Sequence, residues 1–587
     1  MRQLTVRQRP VDPFGGLGLH PKLEQIYAAR QVRSKDDIDY RLDGMLSPRD
    51  LPGIDTAVDV LVRKLSQNAR ILFIGDFDAD GATSSALGTL ALRSMGAAQV
   101  DYLVPNRFEH GYGLSSDIVR IAAQKQPDLL VTVDNGIANV AGVDTANSLG
   151  ISVIITDHHL PGDRLPDADA IVNPNLAGSS FSSPALAGVG VIFYLMIALR
   201  SRLRDTGWFD NRPLPNLGDL LDLVAIGTVA DLVALDKNNR IMVSNGLNRI
   251  NSGRVRPGVA ALLEFCNSRT GEISSSDLGF AVAPRLNAAG RLQDMSLGIE
   301  CLLSDDPRHA AHLARELDQL NRRRRAIESE MKTEAMGIVE DMHLSGTIDA
   351  GVCLYEEHWH QGIVGLIASR IKDRTGKPVI AFAPAGEQEL KGELKGELKG
   401  ELKGSGRSVP GLHIRDVLNG IHTRHPDLII RFGGHAAAAG LSLKKENYPR
   451  FRDAFSEEIS LQLQDDGDGD VIYSDGGLRD EDISLDFAHL LKISGPWGQQ
   501  FPEPAFDDEF EVLESRVVGN EHLKLRVRKK AGGKAVDAIS FYHDGEFEHA
   551  GMKDGVRLVY RLDINEYRGA RNPQLIVQHL AILQKSL

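Results

Sequence analysis

The chain predicts an α/β protein: a parallel sheet, then a long helix, a second α/β region and a small C-terminal β-barrel. Three observations carry this. From residue 70 onward, apolar runs of strand length alternate with helical segments, the pattern of a parallel sheet covered on both faces. The polar stretch 308–342 contains neither Gly nor Pro before Gly337, which suits one long connecting helix. Beyond the Asp/Gly-rich "QDDGDGD" (464–470), short β-like runs are separated by Gly and Asn, as in a small barrel.

In chain order, residues 1–50 form a polar N-terminal arm, and 51–305 hold the first α/β domain. Its strands are read in "RILFIGDFD", "QVDYLVP", "DLLVTVDNG" and "ISVIITDHH", with helices in "TSSALGTLALRSMG" and "LSSDIVRIAAQKQ". Helical segments "GVIFYLMIALRSRLR" and "LGDLLDLVAIGTVADLVAL" follow. The connecting helix takes 306–345 and the second α/β domain 346–465, opening with "GVCLYEEHWHQGIVGLIASRI" and "KPVIAFAP"; the barrel takes 466–587. Four tandem copies of "ELKG" fill Glu389–Gly404, a period too short for a solenoid and read as a lengthened surface loop leading into "GSGRS", with "LKGSGRS" the original copy.

With 587 residues the chain exceeds a single core, and its 42% hydrophobic and 25% charged composition is that of a soluble protein. The opening "MRQLTVRQRPVDPF" lacks the apolar core of a signal peptide, and no run reaches the ~20 apolar residues of a membrane span. A cytoplasmic protein with no membrane partner is the expectation. Cys266, Cys301 and Cys353 stand far apart, so a metal would be held by oxygen and nitrogen. A net charge of −13 disfavours a nucleic-acid partner only as a whole-chain sum, because local basic strips and a cation-filled acidic site can still receive a polyanion.

The densest chemistry lies in "GDFDADGATSS" (75–85). Asp76, Asp78 and Asp80 alternate at a strand end, an arrangement costly in repulsion unless a cation neutralises it. A calcium-like turn or solvated acidic loop is the alternative, although the twelfth residue from Asp76 is Leu87 where an EF-hand needs Glu. Asp134 in "TVDNGI" ends another strand, where an Asn-Gly turn competes. "TDHH" adds His158 and His159, which could ligate a metal, hold a phosphate or cap a turn. Asp231 in "GTVADLV" could equally be a helix-end carboxylate. In open parallel sheets ligands sit beyond the carboxyl ends of the strands, where these residues fall, and carboxylate with imidazole suits manganese, magnesium or zinc. Together they describe a two-metal site able to orient water and stabilise charge at phosphorus.

The set "GDFDADGATSS", "VPNRFEHGYG", "TVDNGI", "TDHH", "GTVADLV", "PRLNAAGR", "GSGRS" and "GGHAAAAG" resembles the DHH phosphoesterase superfamily. In order and length it is similar to the RecJ family of single-strand-specific DNA exonucleases. The resemblance implies a DHH domain, a DHHA1-like domain and an OB-fold barrel. It implies one or two Mn²⁺ or Mg²⁺ ions surrounded by Asp76, Asp78, Asp80, Asp134, His158 and Asp231, with His159 on the scissile phosphate. Asp157 has two readings, a ligand or a group that orients a histidine. Ser405 and Arg407 in "GSGRS", and Gly433, Gly434 and His435 in "GGHAAAAG", would hold substrate and its terminal phosphate. Read blindly, "GGHAAAAG" is a loop followed by a small-residue helix. Arg107 and Arg285 are further phosphate-binding candidates. Trp359 is read as core, with base stacking as its rival.

The barrel segment adds a hint of its own. In "NEHLKLRVRKK", His522, Lys524, Arg526, Arg528 and Lys530 alternate with Leu523, Leu525 and Val527, giving a strand one basic and one apolar face. A solvated charge run is the plain reading and a single-strand track the functional one. The expected activity is metal-dependent 5′-to-3′ degradation of single-stranded DNA to mononucleotides by activated water, in DNA repair and recombination. By the same resemblance, single-strand-binding protein and a repair helicase are the expected partners. A phosphodiesterase acting on short oligonucleotides or cyclic dinucleotides, a pyrophosphatase, and a non-catalytic replication scaffold are the rivals. The extra barrel argues against the first two and the retained carboxylates against the last.

Overall fold

Short all-apolar strands bury both faces and therefore pair in parallel beneath helices. The computed structural model describes residues 5–11, 16–106, 113–266, 271–344, 350–386, 400–462, 471–519, 522–541 and 555–583. After the arm strand β1 (Thr5–Gln8) come β2 (Ile71–Ile74), β3 (Val100–Leu103), β4 (Leu129–Val133), β5 (Ser152–Thr156) and β6 (Ala170–Val172). The last five form one parallel sheet in the order β3-β2-β4-β5-β6. The strand order reverses between β2 and β4, with β3 added on one side and β4 on the other, so a crevice opens beyond their carboxyl ends. The Asp76–Asp80 loop follows β2 and Asp134 follows β4, placing both beside that crevice.

The predicted connecting helix is one element, Pro307–Leu344, of 38 residues and about 57 Å at 1.5 Å per residue. Its first half packs Ala310, Leu313 and Leu317 into the first domain, and its second half packs Met331, Ala335 and Val339 into the second. The second domain holds β7 (Val352–Tyr355), β8 (Val379–Pro384), β9 (Glu401–Arg407), β10 (Arg431–Gly434) and β11 (Ala438–Lys444). Their sheet runs β10-β11-β9-β8-β7, parallel only between β7 and β8. Trp359 is fully buried there and donates to Glu334 Oε2 at 2.8 Å, the core role rather than stacking.

Past β12 (Val471–Ser474), strands β13 (Phe506–Val518), β14 (His522–Lys529), β15 (Val536–Ser540), β16 (Val556–Tyr567) and β17 (Ala570–Ile582) close into a five-stranded barrel. Only β15 and β17 pair in parallel, the Greek-key closure of an OB-fold. The alternation read in β14 holds, with Leu523, Leu525 and Val527 buried. The N-terminal arm is not a separate piece. β1 pairs with β12, and the buried Arg30 guanidinium grips Asp475 through bonds of 2.8 and 3.0 Å. One hydrophobic core runs from Leu23 and Ile26 through Phe73 and Ala86 to Phe506 and Leu523, so the barrel is packed onto the first domain rather than tethered to it. No helix among the described residues is long and apolar enough to cross a membrane.

Three local readings are corrected. "GGHAAAAG" is the β10–β11 hairpin, with no helix, because its glycines and alanines pair across strands. The helix through "LGDLLDLVAIGTVADLVAL" stops at Ala230; Leu232 takes φ 59°, a left-handed turn that ends it despite the continuing apolar run. "GSGRS" is not reached through a loop made of all four repeats. The fourth "ELKG" copy is itself the start of β9, with Leu402 buried and Gly404 leaving room for Phe382. The first three copies, apart from Gly400, lie outside the described residues, as does "QDDGDGD".

Candidate metal centre

Helix and strand ends bring seven of the predicted groups together. Asp78 caps the helix Ala79–Ser94 by accepting from Gly81 N–H at 3.0 Å. Asp80, in the first turn of that helix and 1% exposed, accepts from Gly188 and Val189 N–H at 2.6 and 2.9 Å at the start of the helix Gly188–Asp205, whose dipole favours the anion. Asp134 stands at φ 63° just past β4. Asp231 ends its own helix at the same place. Ligand atoms within 4.8 Å of one another form the sets Asp76/Asp78/Asp134 and Asp80/His158/Asp231, and Asp134 also clusters with His158 and His159. Two triads with Asp134 beside both could hold one or two divalent ions.

Glycines make the approach possible. A Cβ at Gly188 would lie 2.6 Å from Asp134 Cβ, one at Gly227 2.7 Å from Asp80 Oδ1, and one at Gly81 2.6 Å from the Asp76 backbone. The "PRLNAAGR" motif holds the same loop from behind. Asn287 Oδ1 accepts from Ala79 N–H at 2.8 Å, and a Cβ at Gly290 would meet Phe77 O at 1.8 Å. Sequence reasoning singled out the arginine of that motif and missed Asn287 and Gly290. An Asn and a Gly inside an otherwise helical run were the available signal.

Burial and mutual repulsion perturb the group. Burial, with Asp78 beside it, pushes Asp80 up to about 7; burial and the Asp80 charge hold Asp134 and Asp231 well above the ordinary carboxylate range. His158 is driven down to about 4 by burial and by His159, so its ring is neutral. Its Nε2 faces Asp134 Oδ1 at 3.1 Å and Asp231 Oδ2 at 3.4 Å without forming a hydrogen bond. The ring also hydrogen-bonds the Leu186 backbone, which therefore engages Nδ1 and leaves Nε2 with a lone pair aimed at the carboxylates. Buried carboxyl oxygens around one imidazole lone pair fit a hard divalent cation such as Mn²⁺ or Mg²⁺, which would take the place of their protons.

Asp157 does something different. Its oxygens take N–H bonds from Ile137, His158 and His159, and Oδ1 lies 2.8 Å from His159 Nδ1. It therefore orients His159. Burial would lower the His159 pKa, but the Asp157 bond and charge, with Asp76 and Asp78, raise it. His159 stacks on His435 of the second domain at 5.9 Å and 12°, so the cleft has a wall from each domain.

Residues 70–228 match the DHH family N-terminal domain, 349–461 the DHHA1 domain and 474–579 the RecJ OB domain. The chain is 52% identical over 561 residues to the single-stranded-DNA-specific exonuclease RecJ of Dickeya dadantii, covering 95% of each. It is 49% identical to that of Escherichia coli over 99% of each. It belongs to the RecJ family. Its fold superposes on Thermus thermophilus RecJ in complex with Mn²⁺ with a TM-score of 0.76 at 27% identity, covering 96% of this chain and 76% of that one. An exonuclease RecJ bound to manganese gives 0.58 at 32% identity, covering 71% and 96%.

The remaining candidates separate. Within this RecJ-family fold, Ser405 and Arg407 lie on β9 beneath Gly365, whose Cβ would stand 2.9 Å from Ser405 Oγ and 3.1 Å from an Arg407 guanidinium nitrogen. The neighbouring Gly362 carbonyl accepts from Arg291 of the first domain at 3.3 Å, so this pair sits one step from the domain contact. Gly433 and Gly434 shape the hairpin, and a Cβ at Gly434 would stand 2.5 Å from Ala438 O. Arg285 is engaged elsewhere. It binds Asp318 at 2.8 Å and Ala281 O at 2.6 Å and covers the Phe265 ring, tying the long helix to the first domain. Its cation is shared with Asp318, at the joint between the long helix and the first domain. Arg107 lies outside the described residues.

Proposed function

We propose that this RecJ-family chain is a divalent-metal-dependent exonuclease that degrades single-stranded DNA from the 5′ end to mononucleotides, in DNA repair and recombination. The observation that carries the reading is the pair of carboxylate and imidazole triads joined by Asp134. Asp76, Asp78, Asp80, Asp134, His158 and Asp231 would hold Mn²⁺ or Mg²⁺. Such ions supply Lewis acidity at phosphorus and lower the pKa of water at neutral pH.

The chain's own groups do the rest. His159, its pKa raised by Asp157, meets the phosphate. His435 stacks against it and, with Ser405, Arg407 and the Gly433-Gly434 backbone, holds the strand end. Arg107 remains in this reading as a phosphate contact on the strength of its motif. The barrel receives the single strand. The reading extends to a cytoplasmic setting and to single-strand-binding protein and a repair helicase as deliverers of the strand, supported by family membership.

The test is digestion of 5′- and 3′-labelled single and double strands, with and without Mn²⁺, by the native chain and by Asp134→Ala. Cleavage of single strands alone, from the 5′ label, lost without metal and lowered about 10³-fold or more in the variant while binding persists, is expected. Full activity of Asp134→Ala overturns the metal assignment.

A further inference from the structure

The barrel's basic strand is not a bare cationic track. In register, Arg528 of β14 stands opposite Glu511 and Arg526 opposite Glu514 on β13; on the other side Arg526 stands opposite Asp537 of β15. Lys524 Nζ is 2.8 Å from Asp537, while Arg526–Glu514 and Arg528–Glu511 are open contacts of 3.8 Å. Arg516 lies opposite Lys524 and is exposed, so four cations share the face with three carboxylates.

Stability does not account for that placement. Exposed pairs of this kind contribute roughly 0–1 kcal/mol, least at long separation. Their effect on a polyanion is larger. Cross-strand neighbours stand about 5 Å apart, well within the ~10 Å screening length at 0.1 M salt, so a phosphate reaching any of these cations also meets a carboxylate.

We propose that Glu511, Glu514 and Asp537 are a brake on strand binding, keeping the barrel's hold on single-stranded DNA weak so that the strand slides inward as nucleotides are removed. The proposal rests on the barrel being a single-strand receiver, as in the function proposed above. An exonuclease that advances along its substrate gains nothing from a grip that outlasts each cleavage. The interleaved carboxylates lower affinity without removing the cations that attract the strand.

The experiment uses the full chain, oligo-dT with a fluorescent label, and excess chelator so that binding is read without cleavage. The E511Q/E514Q/D537N protein is expected to bind about tenfold more tightly near 0.1 M salt, the gain shrinking as salt rises. With Mn²⁺, its turnover on long oligo-dT falls while turnover on a dinucleotide is unchanged. Unchanged or weaker binding by a variant that melts like the parent overturns the brake. If the triple variant does not fold, E511Q and E514Q singly, each about twofold tighter, carry the same test. K524Q/R526Q separates the two readings. Weaker binding there with no tightening in the acidic variants removes the brake alone, and unchanged binding removes the barrel's role as receiver and the brake with it.

Discussion

Chelation at controlled pH tests the metal centre directly, because its carboxylates are protonated where ordinary ones are not. Asp80 is pushed up to about 7, and Asp134 and Asp231 are also raised, against 3.8 for an unperturbed Asp. Without metal, Asp80 is about half protonated at pH 7 and about nine-tenths at pH 6. The folded chain thus holds protons that the unfolded chain has released, from about pH 4 through about pH 7, so unfolding free energy falls as pH rises across that window. Moving one carboxyl from 3.8 to about 7 makes the ionised fold on the order of 4 kcal/mol less stable than the protonated one. The neighbouring carboxyls share protons, so that figure is not multiplied by three.

A divalent cation replaces those protons. Titration of Mn²⁺ by calorimetry, in buffers of different ionisation enthalpy, is expected to show about one to two protons released per protein between pH 6 and 7. Apparent affinity should fall at least about tenfold per pH unit below 7. Chelated protein should melt lower at pH 8 than at pH 6.5, and Mn²⁺ should raise the melting temperature more at pH 8. Metal binding that releases no protons, with a chelated melting temperature flat between those pH values, refutes the reasoning.

Asp157→Asn removes the charge that raises His159; kcat is expected to fall about 10- to 100-fold, and the alkaline limb of the pH–rate profile to move to lower pH. Gly290→Ala places a methyl where Phe77 O sits 1.8 Å from the added Cβ; calorimetry should show a loss of about 1–3 kcal/mol, and titration a weaker Mn²⁺ affinity, because the Asp76–Asp80 loop is displaced. Deleting Glu389–Gly396, two of the four repeats, leaves the copy that forms β9 in place. Its melting curve should stay within about 1 kcal/mol of the parent, since connection length costs little, and its nuclease rate should be unchanged.

The parallel sheet was legible from its alternating runs, the long helix from its lack of Gly and Pro, and the barrel from short runs split by Gly and Asn; the clustered carboxylates had rival readings as turns or helix ends, which the family resemblance outweighed. What was not legible depends on contacts between distant segments. Nothing in "PRLNAAGR" announces that Arg285 meets Asp318, 33 residues later, while Asn287 and Gly290 reach back to the Phe77–Ala79 loop. The basic face of β14 was visible; its carboxylate neighbours lie on β13 and β15, and register alone brings them level. The fourth repeat stood out as the original copy because it runs on into "GSGRS", but that it is a strand shows only in its pairing with β8 and β11.

Adjacent histidines can serve opposite ends of one reaction only if something separates them. Consecutive side chains beyond a strand diverge, and Asp157 turns that divergence into opposite pKa shifts. By taking the His159 ring and three backbone N–H groups, it raises the pKa of the imidazole that faces the second domain. Burial beside that ring makes the other a neutral lone-pair donor facing the carboxylates. The site therefore has an acidic wall with both histidines from the first domain, and His435 of the second stacked on His159. The long helix, packed into both domain cores, fixes their separation. A phosphodiester between those walls would meet cation-binding carboxylates on one side and hydrogen-bond donors on the other. The net charge of −13 is thus compatible with a nucleic-acid substrate, since the carboxylates facing it would already be neutralised by metal.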